Sequence, residues 1–246
     1  MAKKKKTEST DITVANETMP DFLKDMENRG SEQVDHNDLV IPRVEVAQSL
    51  SRVRKKNSSA YIEGIEEGML YNSVTRELYG NEVIVVPVFF MKEYLLWRDQ
   101  QLGGGFGGAF KDQKEAEDVV ATFEAPKEWE VVMTHQHFCL LVKPNGSAEE
   151  VVISMAKSKL KVSRKFNSLV RINGGDRFSR IYKLIGIADE NQQGQEFYNL
   201  DVRNVGFVTE PLYRHAEKVY DLIRSGAASA DRSYDEADDA DAEEAY

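Results

Sequence analysis

A single cysteine, Cys139, stands among 246 residues. No internal disulfide can form, and a reducing compartment, the cytoplasm, is the expected location. Long hydrophobic runs are also missing. The longest, Val83–Phe90, falls far short of the ~20 residues a membrane span needs, so no membrane partner is expected. The chain opens on Lys3–Lys6 and polar residues, without the apolar stretch of a secretory signal. With four histidines and scattered acids, no Ser/His/Asp order, paired carboxylates or nucleophile elbow emerges. No enzyme and no cofactor are therefore expected.

What the chain does have is charge, unevenly placed. The formal net charge of −10 speaks at first against a nucleic-acid partner. Residues 231–246 hold eight acids (Asp231, Asp235, Glu236, Asp238, Asp239, Asp241, Glu243, Glu244) against Arg232, leaving 31 bases and 34 acids in the rest. Within that rest, Ala156–Lys183 holds nine bases (Lys157, Lys159, Lys161, Arg164, Lys165, Arg171, Arg177, Arg180, Lys183) against Asp176 alone. A near-neutral body with one concentrated basic stretch and a detached acidic tail is the informative pattern.

Residues 1–35 are polar and aperiodic and read as a disordered arm, with a short amphipathic piece at Phe22–Met26. A domain is expected over 36–226 and a disordered acidic tail over 227–246. Pro42 excludes a central strand at Asp38–Arg43, so an edge or lead-in strand through Val44 and Val46 is expected. Arg52, Arg54, Lys55 and Lys56 read as a basic loop, and Gly64–Tyr71 and Thr75–Tyr79 as short strands. Glu82–Arg98 is the strongest β signal. Leu102–Phe110 reads as a glycine-rich loop, Lys111–Val120 as a helix and Glu130–Val142 as a strand. Pro144-Asn-Gly146 marks a hairpin into Glu150–Met155. Over Ser158–Arg171 a helical wheel gathers Met155, Val162, Phe166, Leu169 and Val170 on one face. Lys157, Lys161, Arg164, Lys165, Ser168 and Arg171 gather on the other, although Lys157–Val162 alone also alternates like a strand. Arg180–Ala188 and Gln195–Val208 read as a strand pair. Pro211–Arg224 reads as a helix with Leu212, Ala216, Val219 and Ile223 inward. The order suits a β-rich α+β fold, an OB-fold-like Greek-key barrel with an inserted basic helix and a C-terminal helix.

The basic helix is the first candidate site, because cations on one face neutralise phosphates and release counterions. Aromatic rings come next, since single-strand binders stack bases on them. Tyr94 and Trp97 at a strand end fit either the core or an exposed platform. Phe106 sits among glycines, in Gly103-Gly-Gly-Phe-Gly-Gly108, and Phe178 and Tyr182 sit in the basic segment. The expected nucleic-acid contacts are Lys157, Lys159, Lys161, Arg164, Lys165, Arg171, Arg177, Arg180, Tyr182, Tyr94, Trp97, Phe106, Arg52 and Arg54. The glycine run lacks the Gly-Lys-Ser/Thr of a phosphate loop. His135, His137 and Cys139 alternate on one strand face and could offer three zinc ligands, but a fourth is missing. The tail residues Asp235, Glu236, Asp238, Asp239, Asp241, Glu243, Glu244 and Tyr246 would compete with DNA for the basic groove and present an aromatic, carboxylate-bearing end to a partner.

Asp235–Tyr246, the basic helix Lys157–Arg171 between strands, and the aromatic-rich strand Val83–Trp97 together resemble the single-stranded DNA-binding proteins of tailed bacteriophages. The stretches Asp38-Leu-Val-Ile-Pro-Arg43 with Gln48, and Trp97-Arg98 to Gly103–Phe110, also look like phage replication-module proteins. The long polar arm and the glycine stretch depart from that layout. The resemblance implies an OB domain with an acidic tail ending in an aromatic residue. It also implies single-stranded DNA as ligand, and polymerase, helicase-primase and recombination factors as partners through the tail. A homodimer is compatible with it. The competing expectation is a phage interaction factor, an inhibitor or scaffold, whose acidic tail mimics nucleic acid. A nuclease is a weaker third.

Overall fold

The computed structural model describes residues 41–191 and 194–225; the expected arm and acidic tail lie outside the described residues. Among the described residues, nine strands form two antiparallel sheets, accompanied by three α-helices. The small sheet has the order β1 (Val44–Val46), β2 (Leu70–Asn72), β3 (Leu78–Gly80). β2 starts later than the residue pattern predicts, because Gly64 and Gly68 take φ of +77° and +79° and hold the chain in turns until Leu70.

The large sheet is built around β4 (Glu82–Arg98), whose β-branched and aromatic content sustains 17 residues of strand. Along one side β4 pairs with β6 (Trp129–Val142), from Ile84↔Val142 to Arg98↔Trp129. Along the other it pairs first with β8 (Arg180–Glu190), through residues 82–85, and later with β5 (Phe106–Phe110), through residues 94–97. β7 (Ala148–Ala156) lies outside β6, and β9 (Glu196–Phe207) lies outside β8. The glycine stretch is thus partly strand. Gly107 lets the indole of Trp129 approach, where an added Cβ would lie 2.5 Å from a ring carbon.

A bulge between Pro87 and Phe89 inverts the alternation of β4. Before it Val86, and within it Val88, point to the face covered by α3 (Glu210–Arg224); after it Phe89 and Met91 do. Ala216, Val219 and Ile223 of α3 are buried there, with Leu212 packed beside them, as the helical period predicts. On the opposite face, Val83, Val85, Cys139, Leu141 and Tyr182 pack against β1, β2 and α2 (Leu160–Asn173). Farther along that face, α1 (Gln113–Val120) covers Tyr94 and Leu96, and Asp112 caps it by accepting from Lys114 N and Glu115 N.

The large sheet does not close into a barrel among the described residues, which corrects that part of the expectation. Its two edges are satisfied by other groups instead of by each other. On β7, Val152 N donates to Pro42 O at 2.9 Å, beside a parallel bridge to Arg43. On β9, the Gln48 amide donates to Tyr198 O (2.8 Å) and accepts from Tyr198 N (2.9 Å). Leu200 N donates to Asn199 Oδ1, and Val202 N to the Asp201 carboxylate. These side chains blunt an edge that would otherwise recruit another strand.

Candidate functional site

Helix α2 follows β7 through a 3₁₀ turn at Lys157–Lys159, where Lys157 takes an unusual φ of 46°. The helix starts two residues later than expected, and its two faces are those of the wheel. Val162, Ser163 and Phe166 are buried, whereas Lys161, Arg164, Lys165, Ser168 and Arg171 are exposed. No acid stands in its first turn and no side chain caps it. The positive end of the helix dipole therefore adds to Lys157, Lys159 and Lys161.

What fixes this face is a buried polar chain beneath it. His135 and His137 project together from β6, and Ser163 Oγ lies 2.7 Å from His135 Nδ1 and 2.7 Å from His137 Nε2. Arg177 Nη2 lies 2.8 Å from His137 Nδ1. A guanidinium can only donate, so His137 Nδ1 accepts and its proton sits on Nε2, pointing at Ser163. Ser163 can then donate to His135 Nδ1, giving one directed chain from Arg177 to His135. His137 stacks on Phe166 (5.0 Å, 15°), and the guanidinium lies over Phe90 at 5.5 Å and Phe166 at 5.7 Å. Burial holds His137 well below its ordinary value, with help from Arg177 and His135. Burial, then Arg164 and Lys92, holds His135 down as well.

The zinc alternative finds its atoms engaged. Both imidazoles bond Ser163, and burial pushes the Cys139 thiol up to about 12. No group of three or more His, Cys, Asp or Glu suited to a metal is found among the described residues.

The expected contact residues separate into several environments. Lys161, Arg164 and Arg171 are exposed and form no ion pair among the described residues. Lys165 pairs with Asp201 at 2.5 Å, Lys157 with Glu130 at 3.2 Å, and Arg54 with Glu67 at 2.6 Å. Lys159 is half-buried and Arg52 exposed. Trp97 and Phe106 are half-buried and pack on each other, 5.1 Å between centroids.

Three expected contacts are corrected, and a fourth is displaced. Tyr182 is 1% exposed and Tyr94 9%, so both are core rings with no face for a base. Arg177 turns inward, donating from Nη1 to Asn167 Oδ1 (3.0 Å) and from Nη2 to His137. It is half-buried and holds α2 in place. Arg180 leaves the helix face: its guanidinium lies 3.9 Å from the centroid of the Phe207 ring, and Nη2 reaches Asn173 O at 3.4 Å. Phe207, 70% exposed at the end of β9, is missing from the expected set.

The frame is therefore a β-rich α+β domain, with an open antiparallel sheet that presents a cationic helix. The chain belongs to the Pam3 phage gp34-like protein family, whose model matches residues 7–229; it is a phage protein. No curated protein and no solved structure matches it. Among the described residues no helix is long and apolar enough to cross a membrane.

Proposed function

We propose that this chain binds single-stranded nucleic acid without sequence preference, through the outer face of α2, in support of phage DNA replication or recombination. The observation that carries this reading is the state of Lys161, Arg164 and Arg171. They stand exposed and form no ion pair among the described residues, Lys161 lying only near enough to Asp189 to help hold its carboxyl down, on a helix whose opposite face is locked by the Ser163–histidine chain. A face intended only for solubility normally mixes both signs. The reading does not need a closed OB barrel; an open sheet that holds α2 rigid serves equally. The acidic tail is its intramolecular competitor and the handle for replication proteins. The second reading, an interaction factor with a nucleic-acid-mimicking tail, draws on the Lys165–Asp201 and Lys157–Glu130 pairs, which neutralise part of the same face.

The test is anisotropy of a labelled oligo-dT titrated with the full chain at several salt concentrations. The proposal expects a steep salt dependence. The triple variant K161A/R164A/R171A should lower the slope by ~0.7 for each phosphate it no longer neutralises. Absence of binding at low salt, with or without residues 231–246, would defeat the proposal and leave the interaction factor.

A further inference from the structure

At the C-terminal end of α2 the chain exposes an aromatic ring on a cation. Phe207 lies opposite Arg180 across the β8–β9 pair, and the guanidinium covers one face of its ring at 3.9 Å. The other flank is open: Phe207 is 70% exposed, beside Val205 at 55% on the same strand. Arg180 in turn donates to the carbonyl of Asn173, the last residue of α2, where Ile172 is 80% exposed. Neither Arg180 nor Arg171 has an acidic partner among the described residues, and Arg180 Nε is buried with no hydrogen-bond partner there.

We infer that Phe207, backed by Arg180, is a base-stacking platform, and that it makes the ligand single-stranded. A ring clamped on one face by a guanidinium loses little freedom when a second planar group lands on the other. Bases of a duplex are already stacked on one another and offer only edges, whereas an unpaired base can settle on the ring. Arg180 under the ring, free of acidic partners among the described residues, favours a ligand that carries phosphate over an apolar protein surface. The platform is tied to the C-terminal end of the cationic helix, since Arg180 Nη2 reaches the carbonyl of Asn173. This inference rests on the nucleic-acid reading above and adds a site to it.

The full-length chain and its Phe207→Ala, Phe207→Leu and Phe207→Tyr variants would be titrated with oligo-dT and with an abasic phosphodiester oligomer of equal length. Phe207→Ala and Phe207→Leu should both weaken oligo-dT binding roughly tenfold, with the salt slope unchanged, while abasic binding stays as in the parent. Phe207→Tyr should keep parental affinity. Because Phe207 is exposed, the variants should unfold at the same denaturant concentration as the parent, which is checked alongside. Parental affinity in Phe207→Leu would overturn the platform and point to a merely apolar contact. An equal loss on the abasic oligomer, or no loss in Phe207→Ala, would overturn it too, while leaving the cationic face intact. A parent that binds neither oligomer would remove the nucleic-acid reading itself.

Discussion

Acidification should loosen this domain well above the pH at which carboxylates titrate, and His137 sets the size of the effect. Its Nδ1 faces Arg177 at 2.8 Å, its Nε2 faces Ser163 at 2.7 Å, and its ring is buried against Phe166. A second proton would have to enter on Nδ1, directly against a guanidinium. Folding therefore holds the imidazole neutral, well below the ordinary 6.5 that the unfolded chain restores. Below that value the unfolded state binds a proton that the fold refuses, so stability falls as pH falls. Between pH ~7.5 and ~5.5 one such histidine removes about 1.4 kcal/mol. His135 acts in the same direction and adds to the loss. Asp189 and Asp201, both held below an ordinary 3.8, lose their stabilising contribution only in a more acidic window. Urea unfolding followed by the fluorescence of Trp97 and Trp129 measures the difference, and His137→Asn, though less stable throughout, should lose about that much of the pH dependence. Equal or greater stability of the parent at pH ~5.5, or an unaltered dependence in the variant, would refute the account of the proton chain.

Ser163→Ala removes the shared hydroxyl and strands the buried His137 Nε2–H. A cost of about 1–3 kcal/mol is expected in the same urea assay, with α2 loosened in hydrogen exchange. Gly186→Ala should cost at least ~1–3 kcal/mol, because its Cβ would stand 1.9 Å from the backbone oxygen of Gly68, where the segment before β2 meets the large sheet. Gly206→Ala, with nothing within 4 Å of the added carbon, should stay within ~0.5 kcal/mol of the parent and serves as its control. Deleting residues 231–246 removes eight acids and one base and should tighten oligo-dT binding most strongly at low salt, where a tethered competitor is most effective.

Most of the frame is legible in local pattern, because long strands and amphipathic helices write their periods into the chain. Glu82–Arg98 is read to the residue, and the inward sides of α2 and α3 follow from helical spacing alone. Closure is a different kind of property. Whether β7 and β9 meet depends on which groups satisfy their outer backbone atoms, and the answer lies in Gln48, 150 residues before Tyr198 in the chain. No window of neighbouring residues carries that information. Strand β5 is obscured for a related reason: glycine has little intrinsic strand preference, and Gly107 is required only because Trp129 folds over it.

The site divides along the same line. Cations on an exposed helical face are visible as a charge run, and Lys161, Arg164 and Arg171 stand where the run places them. Arg177 belongs to the same run yet turns inward, because its neighbours in space are His137 and Asn167. Alternation does place His135 and His137 on one face, but their shared partner Ser163 sits on the apolar side of α2, where nothing in the helical pattern marks it as their partner. Phe207 reads in sequence as one more apolar residue at a strand end. Only the bulge at Ile181/Tyr182 and the register Arg180↔Phe207 bring a guanidinium under it. Charge density in the sequence thus finds where phosphates could be held, while the position of a ring that could read a base depends on pairing register. Neutralising α2 should therefore change how steeply binding depends on salt, and removing the Phe207 ring should change affinity at constant slope.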